Sequence, residues 1–342
     1  MWRWRGSNGY SESMSYCLRE DETLADGIRR ICREQIADAL EASIGQTRGG
    51  DSPAHQTRKH IKKTRAALRL VADAIGSACF KRENHCLRDV GRLVSQIRDA
   101  EVRLKTVEQL RDLSKTPKNA FLNLEQLLAL ELDSFGAAFS DWHRTAKPRL
   151  THLRGRISGW PLDKLDCKCL RRAVHKSYQR GHRALESALK NRTTKNFHIL
   201  RKRVKDLWYQ LRILRQLHPL VMSELADELN IIGQNLGGAH DMSLLADRVQ
   251  KIANDSRTRG EARRLSGLTE VRRKQLEGTA VELANHFYAE KPKQFSERIS
   301  TYFEKWETGK LRSSRGKGNA RKESLSSVSR HSRSAAWRRR FA

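Results

Sequence analysis

Between its proline and glycine breaks the chain repeats apolar residues at three- and four-residue spacing, and it nowhere alternates apolar with polar positions for more than a few residues. That period predicts helix almost throughout. Helices are expected over roughly 22–46, 53–76, 81–112, 117–146, 165–190, 194–217, 220–251, 254–288 and 292–306, with ends uncertain by about 2 to 4 residues. Pro53 behind Asp51-Ser52, Pro117 behind Ser114-Lys115-Thr116 and Pro219 behind Leu217-His218 read as helix starts. Gly49-Gly50 and the stretch from Gly155 to Pro161 read as breaks. With six prolines and 6% aromatic residues, a sandwich or barrel is close to excluded, and the expected fold is all-α.

An internal repeat organises these helices. A shift of 143 residues lays His55-x-x-Arg58-Lys59-x-x-Lys62 on His198-x-x-Arg201-Lys202-x-x-Lys205 and Arg69 on Arg212. About forty residues later the shift drops by one, and Gly91 to Asp99 falls on Gly233 to Asp241. His55 to Asp99 spans 44 residues and His198 to Asp241 spans 43. Matched pairs of long helices imply a duplicated helical unit, with halves over about 18–150 and 162–307.

Each repeat helix has two different faces. At 100° per residue His55, Arg58, Lys59, Lys62, Arg65 and Arg69 share an arc of about 120°, while Thr57, Ile61, Thr64, Leu68, Val71 and Ile75 take the opposite one. The second copy divides likewise: His198, Arg201, Lys202, Lys205, Tyr209 and Arg212 on one arc, Leu200, Val204, Leu207, Leu211 and Leu214 on the other. From residue 55 to 69 a helix rises about 21 Å, so each arc is a linear row of cations suited to an extended anion. No acid occurs between Asp51 and Asp73 to neutralise the first row. A merely solvated face would mix Glu with Lys, and both copies select cations and a histidine. Arg29 and Arg33 align with Arg172 and Lys176 at the same shift and are expected beside the rows.

Charge extends this picture to the whole chain. The 342 residues carry 68 Lys or Arg against 39 Asp or Glu, a net charge of +29. Residues 309–342 supply +10 of it, leaving +19 for 1–308. The segment 308–342, rich in Ser and Gly with almost no large aliphatics, is expected to be a disordered basic tail, and 1–17 an N-terminal extension. A polyanion is the expected partner. No stretch reaches the roughly 18 to 20 apolar residues of a membrane span, and Met1-Trp-Arg-Trp-Arg lacks the apolar region of a signal peptide, so a cytoplasmic location is expected. Six cysteines lack C-x-x-C spacing and read as small core residues.

Together the motifs resemble the CHAD domain family, named for its histidines. The resemblance rests on His55-x-x-Arg58-Lys59-x-x-Lys62-Lys63-x-Arg65 with Ile97-Arg98-Asp99, and on His198-x-x-Arg201-Lys202-x-x-Lys205-x-x-Trp208-Tyr209 with Leu236-Gly237-Gly238-Ala239-His240-Asp241. It covers about residues 18–307. It implies two four-helix bundles related by a pseudo-twofold axis around a basic groove that binds inorganic polyphosphate, with association to polyphosphate granules in many members. Val94-Ser95 replaces the family's usual Leu-Gly in the first copy, and Asp206 interrupts the second row, so the first half should attract an anion more strongly. The triphosphatase module fused to some members has no counterpart here.

Catalysis is not expected. The chain has no phosphate-binding G-x-x-x-x-G-K-[ST] loop and no run of acids facing the rows; Asp99 and Asp241 read as partners that orient arginines. Neither repeat histidine has a Cys or acid three or four residues on, so no metal site or cofactor is expected; His55 and His198 read as phosphate donors. A basic helical nucleic-acid binder is the competing reading, since phosphate attraction is not selective. Recognition motifs are missing, Trp208 and Tyr209 read as edge packing, and the tail with Trp337 beside Arg338 to Arg340 is the better candidate for loose nucleic-acid contact.

Overall fold

The computed structural model describes residues 16–45 and 51–310. Among these the regular structure is entirely helical: α1 (Leu24–Ser43), α2 (Pro53–Leu70), α3 (Ala72–Ile75), α4 (Ser77–Leu93), α5 (Ser95–Leu113), α6 (Leu122–Ser134), α7 (Gly136–Ile157), α8 (Cys167–Lys190), α9 (Thr194–Ile213), α10 (Pro219–Ile252), α11 (Ser256–Phe287) and α12 over 292–310. A 3₁₀ turn, Arg215–Leu217, joins α9 to α10. The all-α expectation holds. None of these helices is long and apolar enough to cross a membrane. The Trp-Arg head and residues 311–342 of the basic tail lie outside the described residues, as do Gly49-Gly50. Residues 308–310, counted with the tail, continue α12.

Helix starts follow their caps. Ser52 accepts the His55 backbone N–H at 3.2 Å with Pro53 in the first turn, and Thr193 does the same for Asn196 ahead of α9. Three expectations need correction. The helix expected over 81–112 is broken at Val94, where the Ser95 hydroxyl donates to the Gly91 carbonyl at 3.2 Å and bends the chain from α4 into α5. Pro117 does not start a helix: α6 begins only at Leu122, its first N–H groups taken by the Glu261 carboxylate of α11, 2.9 Å from Leu124 N. Beyond it the helix expected over 117–146 breaks at Phe135, and α7 then runs through Pro148 to Ile157. Pro148 sits on the exposed side, and buried Trp142, Ala146, Leu150, Leu153 and Ile157 keep the helical period.

The apolar arcs pack where the periodicity puts them. Thr57, Ile61, Thr64, Leu68, Val71 and Ile75 are all buried, as are Leu200, Val204, Leu207, Leu211 and Leu214. Apolar side chains gather in two clusters, each drawing on both sequence halves. The larger joins α1, α2, α4 and α7 to α8, α9 and the first part of α10; the smaller joins α5 and α6 to the last part of α10 and the first part of α11. The bend at Val94 thus carries the chain from one cluster to the other, a task that α10 performs as a single helix. Of the cysteines, Cys17, Cys32 and Cys169 are buried, whereas Cys79, Cys86 and Cys167 are half-buried; all six are free thiols.

Helices α2 and α9 pack against each other. The entering segment binds them: the Tyr16 hydroxyl donates to the Lys63 carbonyl at 2.8 Å, Leu18 N–H donates to the Ile213 carbonyl at 2.9 Å, and the Tyr16 ring meets Tyr209 edge-on at 6.2 Å. Arg69 of α2 pairs with Asp206 of α9 at 2.9 Å. The two repeat helices are therefore one scaffold. Replacing Leu68 by Ala should cost about 2 to 5 kcal/mol by the cavity it leaves, whereas Lys62→Ala on the opposite arc should leave stability unchanged or raise it. Urea denaturation of both variants measures this; equal losses would contradict the division into arcs.

Candidate polyanion groove

The N-terminal parts of the two cationic rows converge. Lys62 of α2 lies in the electrostatic field of Arg58, Arg98, Arg201 and Lys205, and Arg58 in that of Arg98 and Arg201. Two further elements complete the site: α5 packs on α2 and brings Arg98, while α10 packs on α9 and brings His240 and Asp241. Arg98 and His240 belong to the sequence motifs but only the structure turns them toward the rows.

Close approach to α10 depends on one glycine. A Cβ on Gly233 would stand 2.8 Å from Lys205 Cε, so a larger residue would push the lysine stem away from the helix. Lys205 donates to Asn230 Oδ1 at 3.3 Å, and its ammonium rests 3.9 Å from the Trp208 ring centroid. Arg212 lies 5.0 Å from the same ring and 5.6 Å from that of Tyr16.

The electrostatics record crowding. Lys62 is open to solvent on one side, yet the surrounding protein mass, followed by the four cations, pulls its ammonium down to about 7 from 10.5. Burial, then Arg201 and Arg212, bring Lys205 to about 7 as well. Desolvation followed by neighbouring cations lowers His55 and His198 to about 4 and His240 to about 3, so all three imidazoles are neutral at pH 7. Arg98 Nε donates to His55 Nδ1 at 2.7 Å, which leaves the His55 proton on Nε2. The His198 and His240 rings lie 4.3 Å apart between centroids, tilted by 39°.

Several buried nitrogens here have no hydrogen-bond partner. Arg58 Nη1, Arg201 Nε, His198 Nδ1 and His240 Nδ1 make no hydrogen bond. Lys62 likewise has no hydrogen bond or ion pair among the described residues. The nearby acids are Asp99, 3.8 Å from Arg58; Asp241, whose carboxyl is raised by burial although Arg201 and Arg98 act against that; and Asp51 and Glu101, which act on Arg98, Asp51 also lying 3.8 Å from His55 Nε2. Four carboxylates against Arg58, Lys62, Arg98, Arg201 and Lys205, with Lys59 and Lys202 beside the histidines, leave a net positive site whose unmet need is for anionic oxygen.

Other candidates lie at the edge of this cluster or apart from it. Arg65 donates to Asn84 of α4 at 3.1 Å, and Arg69 is committed to Asp206. Tyr209, 7% exposed, packs on Tyr16 and offers no ligand surface, which corrects its place among the binding residues. Lys59, half-buried on α2, acts on His55, and Lys202, exposed on α9, acts on His198 and His240, so both flank the cluster. Arg172 and Lys176 converge on Asp73 at 3.6 and 2.8 Å, beyond the C-terminal end of α2. Arg29 and Arg33 are not beside the rows: they line a cleft of about 570 Å³ between α1 and α7, where Arg29 donates to the Trp160 carbonyl at 2.9 Å and Arg33 to Ser158 at 3.4 Å. Their offset match reflects equivalent helices, which turn different faces to the groove. Among the described residues no group of three or more His, Cys, Asp or Glu could hold a metal ion.

Lysines lowered in the fold bind fewer protons than in the unfolded chain between about pH 7 and 10.5, so stability must rise with pH across that window. In urea denaturation Lys62→Met/Lys205→Met should be more stable than wild type at pH 7 and lose this part of the pH dependence. Parallel pH profiles for the two proteins would contradict the crowding.

Comparison with known proteins places the scaffold. The CHAD domain family model matches residues 30–250. The crystal structure of the CHAD domain from the plant Ricinus communis superimposes with a TM-score of 0.56 at 19% identity, covering 78% of this chain and 94% of that one. PptA from Streptomyces chartreusis superimposes with a TM-score of 0.52 at 16% identity, covering 78% and 99%. At such identities the likeness is one of fold, and no curated protein matches the chain. A match over well more than half of its length shows that the chain belongs to the CHAD domain family.

Proposed function

We propose that the protein binds inorganic polyphosphate in the groove formed by α2, α5, α9 and α10, holding the chain without transforming it. The observation that carries this reading is the set of buried nitrogens without a hydrogen-bond partner, Arg58 Nη1, Arg201 Nε, His198 Nδ1 and His240 Nδ1, contributed by both sequence halves around Lys62 and Lys205. A polyanion supplies many acceptor oxygens and the charge that offsets the repulsion. His55 Nε2 and the unbonded imidazole nitrogens act as neutral donors, or gain a proton when phosphate lies beside them.

Phosphoryl transfer would require carboxylates placed to hold magnesium against the phosphates. Asp51 faces His55 and Glu101 accepts from the Ser52 hydroxyl, and the acids among the arginines are Asp99, paired with Arg58, and Asp241, which is buried beside Arg98 and Arg201. Both serve to set arginine positions, so no phosphate release is expected. The same binding would attach the protein to polyphosphate granules.

Counterion release makes affinity fall steeply as salt rises. Titration of the full chain with long polyphosphate, tripolyphosphate, RNA and DNA at fixed salt tests selectivity: long polyphosphate should displace DNA at equal phosphate concentration, and DNA winning would favour nucleic acid. Arg58→Ala/Lys62→Ala and Arg201→Ala/Lys205→Ala should each weaken long-chain binding by more than about 10-fold, since each strips one wall of a shared site. Half the stoichiometry at unchanged affinity by calorimetry would rule the shared groove out.

A further inference from the structure

The two walls of the groove are not electrically equal. On α4, Asn84, Arg88 and Arg92 stand at four-residue intervals and so form one row. That row runs along α2: a Cβ on Gly91 would stand 3.5 Å from Ile61 Cγ2, and Asn84 Oδ1 accepts from Arg65 Nε at 3.1 Å. Arg88 and Arg92 both lie in the field of Arg65. Arg92 is exposed, and Arg88, half open to solvent, has only its sequence neighbour Asp89 at 2.9 Å.

The second half lacks this row. In the register that lays Gly91 on Gly233, Arg88 corresponds to Asn230 and Arg92 to Gln234. Asn230 is occupied by Lys205, and on α9 Asp206 holds the position of Lys63 and takes Arg69 at 2.9 Å. One exit from the central cluster thus carries an arginine row, whereas the other has Arg212, resting on the Trp208 and Tyr16 rings, and neutral residues on α10 where that row would be.

We propose that a polyphosphate chain longer than the groove leaves it over the first half, along α4, with Arg88 and Arg92 as further phosphate-binding residues, and does not leave over α10. The inference rests on the polyphosphate reading above and names the path that reading leaves open. Planar guanidinium groups one helical turn apart on a solvent-facing row can each fork onto phosphate oxygens, and the adjoining Arg65 links them to Lys62. Chains that fill only the central cluster never reach them.

The full-length protein is titrated with polyphosphate of about one hundred units and with tripolyphosphate over a series of salt concentrations. Arg88→Gln/Arg92→Gln should weaken long-chain binding about 5- to 20-fold, leave tripolyphosphate binding unchanged, and reduce the slope of log affinity against log salt by about 1.5. Arg257→Gln/Arg263→Gln on α11 removes the same charge far from the row and should do neither. Gln234→Arg, which keeps the row intact, should strengthen long-chain binding by opening a second exit, a readout independent of whether the double variant folds. If wild type fails to bind long polyphosphate, the functional reading itself falls. If wild type binds and Arg88→Gln/Arg92→Gln matches the α11 control, or loses short and long ligands equally, the exit over α4 is overturned while the groove stands.

Discussion

Apolar packing holds together cations that would otherwise separate. The arcs led by Ile61 and Leu68 on α2 and by Val204 and Leu207 on α9 are buried, and each commits the opposite arc of its helix to the groove. Desolvation and repulsion are then fixed properties of the fold: burial first, and the neighbouring cations after it, bring two lysines down to about 7 and hold three imidazoles neutral. A site built this way is preorganised: side chains do not have to be gathered when the ligand arrives, so the anion meets the full field at once.

The scaffold offsets this strain at its margins. Ion pairs between the halves, Arg69 with Asp206 and Arg172 and Lys176 with Asp73, lie at the end of α2 remote from His55. Tyr16 fills the space between Lys63 and Arg212, its ring 5.1 and 5.6 Å from their charges. Acids thus pair directly with the arginine and lysine at one end of the rows, while around Arg58, Arg98 and Arg201 the acids act at longer range, Asp99 coming no nearer Arg58 than 3.8 Å. The long rows suggested by helical periodicity become, in three dimensions, a compact central cluster with flanking arginines.

Much of this was legible in the sequence, for identifiable reasons. Period and capping gave α8, α10 and α11 to within about two residues and the starts of α2 and α9, though the helix expected over 53–76 breaks at Val71 and that over 194–217 ends at Ile213; the duplicated H-x-x-R-K-x-x-K motif marked both walls. What failed depended on tertiary contact: Glu261 decides where α6 begins, and Ser95 with buried Val94 breaks what reads as one helix. The same limit applies to the site. Arg29 and Arg33 share an offset with Arg172 and Lys176, yet helix packing sends the first pair to the α1–α7 cleft and the second to Asp73. Tyr209 sits at the right angle on its helix, but Tyr16 covers it. Spacing along one helix cannot show which partner lies opposite.

Proton uptake on binding tests the central claim most directly. If crowding has stripped Lys62 and Lys205 of protons, a polyanion must return them, and calorimetry at pH 8 in buffers of different ionisation enthalpy should report up to about two protons taken up per bound site. Lys62→Met/Lys205→Met should abolish most of that uptake. Polyphosphate binding with no proton uptake in the wild-type protein would show that these cations are not held against their own repulsion, and the account of the groove would fail.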